Sequence, residues 1–211
     1  SNIFMISLKQ YLTENKRQGG KCLFVGKGPS AKYANKYRDF GDVCVINEAS
    51  AVVKGEIDYA IVADVERLEG MRSDWDRIKV FFVPDKLIKD SKWFSPSIPI
   101  ESVKGFPLDR AVIFPSNPVN FYFPYLRFPH LLNDSKFLIN YRFEQKRLLS
   151  FHTASIGFHI LAMLGYRNFY ILGNDGGIGY AEGVPYPKKN EIDVKTKNRD
   201  KKRRILEDVI S

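Results

Sequence analysis

Apolar residues in the first half of this chain occur in short unbroken runs rather than in alternation with polar residues. Unbroken runs are typical of strands that are covered on both faces, as in a parallel sheet with helices on each side. Polar stretches between the runs are long enough to hold helical connections. The pattern predicts four strands, at 21–25, 42–47, 58–64 and 79–84.

Helical patterns flank these strands. Spaced apolar residues predict a short amphipathic helix over 5–18, which ends at a pair of glycines. A mostly apolar stretch in the second half predicts a helix that begins at Thr153 and stops at Gly165. The remaining predicted elements are strands at 137–141 and 167–175 and a basic helix at 198–210.

The element order predicts one α/β domain over 1–211, with a Rossmann-like, mostly parallel sheet and helices on both faces. The stretch 84–130 interrupts this pattern, because it contains eight of the eleven prolines and many aromatic residues. Proline opposes regular helix and central strands, while aromatic density opposes disorder. We therefore expect 84–130 to be an irregular insertion or sub-domain beside the sheet.

A glycine turn directly follows the first predicted strand of the sheet. It reads Gly26-Lys27-Gly28-Pro29-Ser30. Glycines allow a ligand to approach the backbone, and exposed N–H groups of such a turn attract anions such as phosphate. Pro29 is preset for a turn or a first helical position, and Ser30 is suited to cap the segment that follows. The turn predicts a nucleotide site, and a tight turn without a ligand is the alternative.

Polar residues close three further predicted strands. Asn47, Asp64 and Asp175 each stand at the carboxyl end of an apolar run. Ligands of open parallel sheets bind at that edge, so the three side chains are candidates for binding or proton transfer. A carboxylate at a strand end also commonly caps the next turn. Two carboxylates at neighbouring strand ends would alternatively hold a metal ion together with phosphates.

Charge and cysteine content narrow the partners. Two cysteines are too few for a disulfide framework or a zinc site, so we expect both to be buried thiols. No apolar run is long enough to span a bilayer. Together these features predict a cytoplasmic protein. The net charge is +9, of which +6 falls in 188–204. We expect this basic tail to be a solvated face or to meet an anionic substrate or the inner surface of a membrane. No nucleic-acid motif accompanies it, so nucleic acid is not an expected partner.

Four blocks of the chain resemble a known family. They are Gly26-Lys27-Gly28-Pro29-Ser30, Val45-Ile46-Asn47-Glu48, Ala60-Ile61-Val62-Ala63-Asp64, and the helix and strand from Thr153 to Asp175. In this order they resemble bacterial sialyltransferases of glycosyltransferase family 42 and the related 6-hydroxymethylpterin diphosphokinase-like family, which includes motility accessory glycosyltransferases. The resemblance implies a variant of the GT-A fold. It also implies transfer of a sugar from a cytidine-monophosphate donor to a bacterial surface glycan or protein, with no metal or cofactor required.

Site residues carry over from this resemblance position by position. Asn47 matches an asparagine that contacts the nucleotide. Glu48 replaces a glutamine, and its carboxylate would repel a phosphate but would accept a hydrogen bond from a ribose hydroxyl. Asp64 replaces an asparagine near the sugar, and Asp175 matches. The expected nucleotide-binding residues are the five of the glycine turn with Asn47, Glu48, Thr153 and Tyr180. The expected catalytic residues are Asp175, Asp64 and His152.

One departure concerns the general base. The family uses a histidine after the last block, whereas the histidines here are His130, His152 and His159, all before Asp175. His152 borders the start of the predicted helix and is the histidine best placed to meet a ligand, while His159 lies within an apolar helix. The missing lid histidine favours a nucleotide-binding module without catalysis as one alternative to a glycosyltransferase. The carboxylates at neighbouring strand ends leave a magnesium-dependent pterin-type pyrophosphokinase as the other.

Overall fold

A computed structural model describes residues 5–84, 98–114, 153–175 and 179–185. Within these ranges, seven parallel strands form one sheet in the order β1-β6-β5-β4-β3-β2-β7. Helical segments cover both faces. The Rossmann-like α/β fold predicted from the unbroken apolar runs is therefore confirmed. The strands are β1 (Ile6–Ser7), β2 (Gly20–Val25), β3 (Asp42–Ile46), β4 (Ile57–Ile61), β5 (Ile78–Pro84), β6 (Ala111–Phe114) and β7 (Tyr166–Leu172).

Alternate side chains of each strand enter two separate cores. In β2, Cys22 and Phe24 face one core, whereas Leu23 and Val25 face the other. All four side chains are fully buried. Burial on both faces explains why the strands appear in the sequence as continuous apolar runs.

In the described part of the chain, two α-helices cover the first face of the sheet, namely α1 (Leu8–Glu14) and α2 (Thr153–Leu164). Ser7 caps α1, since its hydroxyl accepts the backbone N–H of Gln10 at 3.2 Å. Tighter segments of 3₁₀ geometry cover the second face and connect the central strands. These segments are Pro29–Phe40, Asn47–Val52 and Val65–Arg77, followed by the short turns Ile100–Ser102 and Leu108–Arg110.

Two strands of the sheet, β1 and β6, were not predicted from the sequence, and the predicted strands at 58–64 and 167–175 end earlier, at Ile61 and Leu172. The predicted helix over 5–18 is shorter, because Ile6–Ser7 pair with β6 before α1 begins. Residues Ala111–Phe114 lie inside the stretch expected to be irregular, yet they form β6 between β5 and β1. The predicted strand at 137–141 and the predicted helix at 198–210 lie outside the described residues. In the described ranges, we find no helix that combines the length and apolarity needed to cross a membrane.

Candidate functional site

The sheet changes direction of strand addition next to the glycine turn. From β2 the chain adds β3, β4, β5 and β6 successively on one side, whereas β7 pairs with β2 on the other side. Ligands of open parallel sheets bind outside the carboxyl ends of strands at such a switch point. The residues that follow β2, β3 and β7 therefore define the candidate site.

Close backbone packing explains the glycines of this turn. A Cβ at Gly26 would lie 2.5 Å from the carbonyl oxygen of Gly173, and one at Gly28 would lie 2.4 Å from Asp175 Oδ2. Gly173 itself has a φ of +75°, where a side chain would be strained. The turn after β2 and the turn after β7 are thus pressed together, which joins the two strand ends into one surface.

Several backbone N–H groups of the turn are already used inside the protein. Those of Gly26 and Gly28 donate to the carbonyl oxygens of Leu172 and Gly173, at 2.7 and 2.8 Å. That of Ser30 donates to Asp175 Oδ2 at 2.9 Å. The carboxylate of Asp175 thus takes a contact that the sequence assigned to an anionic ligand.

Ser30 has a different role from the one predicted. Its hydroxyl accepts the backbone N–H of Gly173 at 2.7 Å, and Gly28 occupies the cap position of the segment that Pro29 begins, without a side-chain cap. The expectation that Ser30 caps this segment is therefore wrong. The hydroxyl instead links the glycine turn to the end of β7.

Side-chain charges collect beside the turn. Lys27 Nζ lies 3.1 Å from Glu48 Oε2, and Arg67 Nη1 lies 3.4 Å from Glu48 Oε1. The Glu48 side chain is 6% exposed, and that of Lys27 is 11% exposed. The ammonium of Lys27 also lies 4.5 Å from the ring centroid of Tyr180, a cation–π distance. The backbone carbonyl of Lys27 accepts the N–H of Ala181 at 2.9 Å, so the residues around Tyr180 are tied to the turn.

Two asparagine side chains at this edge, one buried and one half-buried, each have a buried polar atom without a hydrogen-bond partner in the described part of the chain. Among the described residues, neither Asn47 Oδ1 nor Asn174 Nδ2 has a hydrogen-bond partner. Asn47 follows β3, is 7% exposed and has a left-handed backbone with φ of +48°. Asn174 follows β7, and its Oδ1 is 3.5 Å from the position of a Cβ on Gly26. An unpaired buried polar atom is costly, so these atoms indicate a ligand or water that completes them.

Carboxyl groups also follow β4. Asp64 precedes the segment Val65–Arg77, and its carbonyl accepts the N–H of Arg67 at 2.9 Å. Glu66 is half-buried, and burial together with the negative charge of Asp64 raises the pKa of its carboxyl group. Sequence reasoning missed Glu66 and Arg67, although both follow Asp64 within three positions and stand beside the same strand end. In the described ranges, no group of three or more His, Cys, Asp or Glu residues is arranged to hold a metal ion.

The start of α2 lies at the same edge of the sheet. A Cβ on Gly157 would lie 3.0 to 3.3 Å from side-chain atoms of Phe24, Ile46 and Ile61, which stand at or next to the carboxyl ends of their strands. Thr153, the first residue of α2, is half-buried. His159 is buried within α2. His152 and the basic tail 188–204 lie outside the described residues.

Comparison with known proteins adds no family to this picture. A scan against protein-family models finds no match for the chain, and a search of curated proteins finds no relative. The functional assignment therefore depends on the site itself and on the resemblance of its motifs.

Proposed function

We propose that the protein is a glycosyltransferase that takes a sugar from a nucleotide donor of the CMP type and modifies a bacterial surface glycan or protein. The donor nucleotide binds outside the carboxyl ends of β2, β3 and β7. The observation that carries this proposal is the pair of unsatisfied amide atoms, Asn47 Oδ1 and Asn174 Nδ2, at the switch point of a Rossmann-like sheet. Asn47 Oδ1 is a hydrogen-bond acceptor and Asn174 Nδ2 is a donor. Such a pair suits a neutral ligand group that carries both donors and acceptors, such as a nucleobase or a sugar.

Side chains, rather than the glycine turn, supply the positive charge in this proposal. The N–H groups of Gly26, Gly28 and Ser30 are occupied, so the departing phosphate needs other partners. Lys27 is nearly buried beside the turn, and a cation in such a place stabilises developing negative charge more strongly than one in water.

Proton removal from the acceptor hydroxyl falls to a carboxylate in this scheme. Asp64 and Glu66 stand after β4, and the raised pKa of Glu66 makes its ionised carboxylate a stronger base than an ordinary glutamate. Asp175 then holds the turn in place through Ser30, which makes it a positioning residue rather than the base.

The use of Asp175 in a structural contact also favours a second candidate function. A module that binds a nucleotide without turning it over would keep Asp175 for its bond to Ser30 and would need no general base. Both candidates require the same nucleotide site and differ in catalysis alone.

Thermal stability in the presence of nucleotides tests the shared part of the proposal. CMP and a CMP-sugar at a hundred times their dissociation constant should each stabilise the folded chain by about 2.7 kcal/mol, with or without magnesium. The variant Lys27→Met should bind CMP at least about tenfold more weakly, because a charged contact is lost. Lys32→Met is the matched control, since Lys32 also lies over a tyrosine ring, at 4.9 Å, but is exposed. A shift with ATP and magnesium alone would instead indicate a pyrophosphokinase.

Hydrolysis of a CMP-sugar tests the catalytic part. Asp64→Asn and Glu66→Gln should each slow hydrolysis while leaving CMP affinity within about twofold. Nucleotide binding without any hydrolysis by the wild-type chain would contradict the transferase and support the non-catalytic module.

A further inference from the structure

We infer that Glu48 recognises the ribose of the nucleotide by accepting hydrogen bonds from its 2′- and 3′-hydroxyl groups. This inference rests on nucleotide binding at the proposed site, but not on sugar transfer. It assigns the ligand class as ribonucleotides in preference to deoxyribonucleotides.

The position of Glu48 in the fold supports this role. Glu48 follows the strand next to β2 and stands twenty residues after Gly28. Dinucleotide-binding sheets place an acidic residue about 20 residues after the glycine turn, where it binds a ribose hydroxyl. Neighbouring strands have the same spacing in all parallel sheets, so a residue after the strand next to the glycine turn lies at a similar distance from a nucleotide bound at that turn.

The carboxylate is held in a fixed orientation. Lys27 contacts Oε2 and Arg67 contacts Oε1, so one cation lies on each oxygen. Gly70 lies close to the same side chain, because a Cβ there would be 3.2 Å from Glu48 Cγ and 3.3 Å from Oε1. Two cations from two different segments therefore keep the carboxylate from rotating.

Acceptor capacity remains on both oxygens. An ionised carboxylate has about four acceptor positions. The hydrogen bonds that Glu48 makes to the described residues are the one from Lys27 and the one from Arg67. One position on each oxygen thus matches the two hydroxyl donors of a ribose diol, and the two cations offset the negative charge of Glu48 towards a nearby phosphate.

A second observation at this place points to a ligand independently. Asn47 precedes Glu48, is 7% exposed and has an unpartnered Oδ1 among the described residues. A hydroxyl or amino donor of the same nucleotide would satisfy it. Buried acceptors on two successive residues indicate a ligand that brings several donors, which a ribonucleoside does.

Paired nucleotides test the inference on the wild-type chain alone. The probes are CMP, 2′-deoxy-CMP and 3′-deoxy-CMP, with the ribo and 2′-deoxy forms of UMP, AMP and GMP beside them. Dissociation constants come from calorimetry. We expect each deoxy form to bind about tenfold to a hundredfold more weakly than its ribo form, because a hydrogen bond to a charged group is lost. Equal affinities would overturn the inference.

The variant Glu48→Gln assigns the preference to this residue. We expect the ratio of ribo to deoxy affinity to fall towards one. Asp74→Asn is the matched control, because the Asp74 side chain is 13% exposed and pairs at 2.7 Å with Arg77, which directly precedes the amino end of β5. A ratio that stays at the wild-type value in Glu48→Gln would overturn the role of Glu48.

The outcomes separate this inference from the proposed function. Ribose preference without hydrolysis of a CMP-sugar would refute the transferase and keep the inference. Binding without ribose preference would refute the inference and keep the transferase open. If none of these nucleotides binds, both fall together.

Discussion

Gly26 illustrates how a single residue joins two strand ends. Its missing side chain lets the turn after β2 approach the turn after β7, with the Gly173 carbonyl oxygen 2.5 Å from where a Cβ would stand. In the sequence, the same glycine belongs to a turn that predicts a phosphate-binding site. In the structure, packing between two backbones accounts for this glycine without any ligand.

We expect Gly26→Ala to destabilise the fold by about 1–3 kcal/mol, because backbone rather than a flexible side chain must move to admit the methyl group. Urea denaturation measures the loss. Gly55→Ala is the control, since a Cβ there meets nothing within 4 Å and only the strain of a φ of +77° is added, about 1–2 kcal/mol. A Gly26→Ala variant as stable as the wild type would show that the two turns are not pressed together.

The ionisation of Glu66 makes the stability of the fold depend on pH. Burial and the nearby Asp64 raise the pKa of its carboxyl group, so the folded state holds this proton more tightly than the unfolded state does. Stability is then lost as the pH rises from the unfolded pKa through the folded pKa.

We expect Glu66→Gln to gain stability relative to the wild type as the pH rises from about 4 to 7, since glutamine has no proton to lose. Thermal unfolding at several pH values measures the difference. Glu69→Gln should show the opposite trend, because a hydrogen bond from Arg72 lowers the pKa of the exposed Glu69. Parallel pH profiles for the wild type and Glu66→Gln would contradict the assigned environment of Glu66.

At the scale of elements, a polar network joins strands at the edge opposite the candidate site. Tyr166, the first residue of β7, donates its hydroxyl to Asp42 at the start of β3, and its oxygen is 3.0 Å from the hydroxyl of Tyr59 in β4. Arg17, in the loop before β2, pairs with Asp42 at 2.8 Å. Burial and the contacts with Asp42 and Tyr59 raise the pKa of Tyr166. The network holds the amino ends of three strands in register.

We expect Tyr166→Phe to cost about 1–2 kcal/mol of unfolding free energy, because it removes the hydroxyl that bonds to both Asp42 and Tyr59. Chemical denaturation measures the cost. Tyr33→Phe is the control and should have almost no effect, since Tyr33 is 48% exposed. A loss that is equally small in both variants would show that the network does not stabilise the sheet.

Element prediction failed where local and tertiary signals disagree. Prolines surround β6, and proline is rare in central strands, so the sequence indicates an irregular stretch. Pairing with β5 on one side and β1 on the other nevertheless makes 111–114 part of the sheet. Only contacts with residues distant in the chain supply the hydrogen bonds of that strand.

At the scale of the whole molecule, the reactivity of the two cysteine thiols measures whether the central strands of the sheet unfold together. Cys22 and Cys44 lie in neighbouring central strands, and both are fully buried. Burial raises the pKa of each thiol, which disfavours the reactive thiolate.

We expect neither thiol of the native protein to react readily with an aromatic disulfide reagent, and both to react at the same rate when the sheet unfolds. Absorbance with mass spectrometry follows the reaction. Lys32→Cys provides an exposed thiol as a positive control for reagent activity. Fast labelling of one native thiol would show that its strand opens separately from the other.

The sequence by itself determined the layered α/β fold and most of its strands, because strands that are buried on both faces have unbroken runs of apolar residues. It also indicated which polar residues stand near strand ends: Asn47 follows β3 directly, whereas Asp64 and Asp175 lie three positions after the last residues of β4 and β7. Tertiary structure decided how they are used. The pairing of β7 with β2 brings Asp175 to Ser30, and the packing of Val65–Arg77 brings Arg67 to Glu48. Such contacts depend on strand order, which local patterns do not encode.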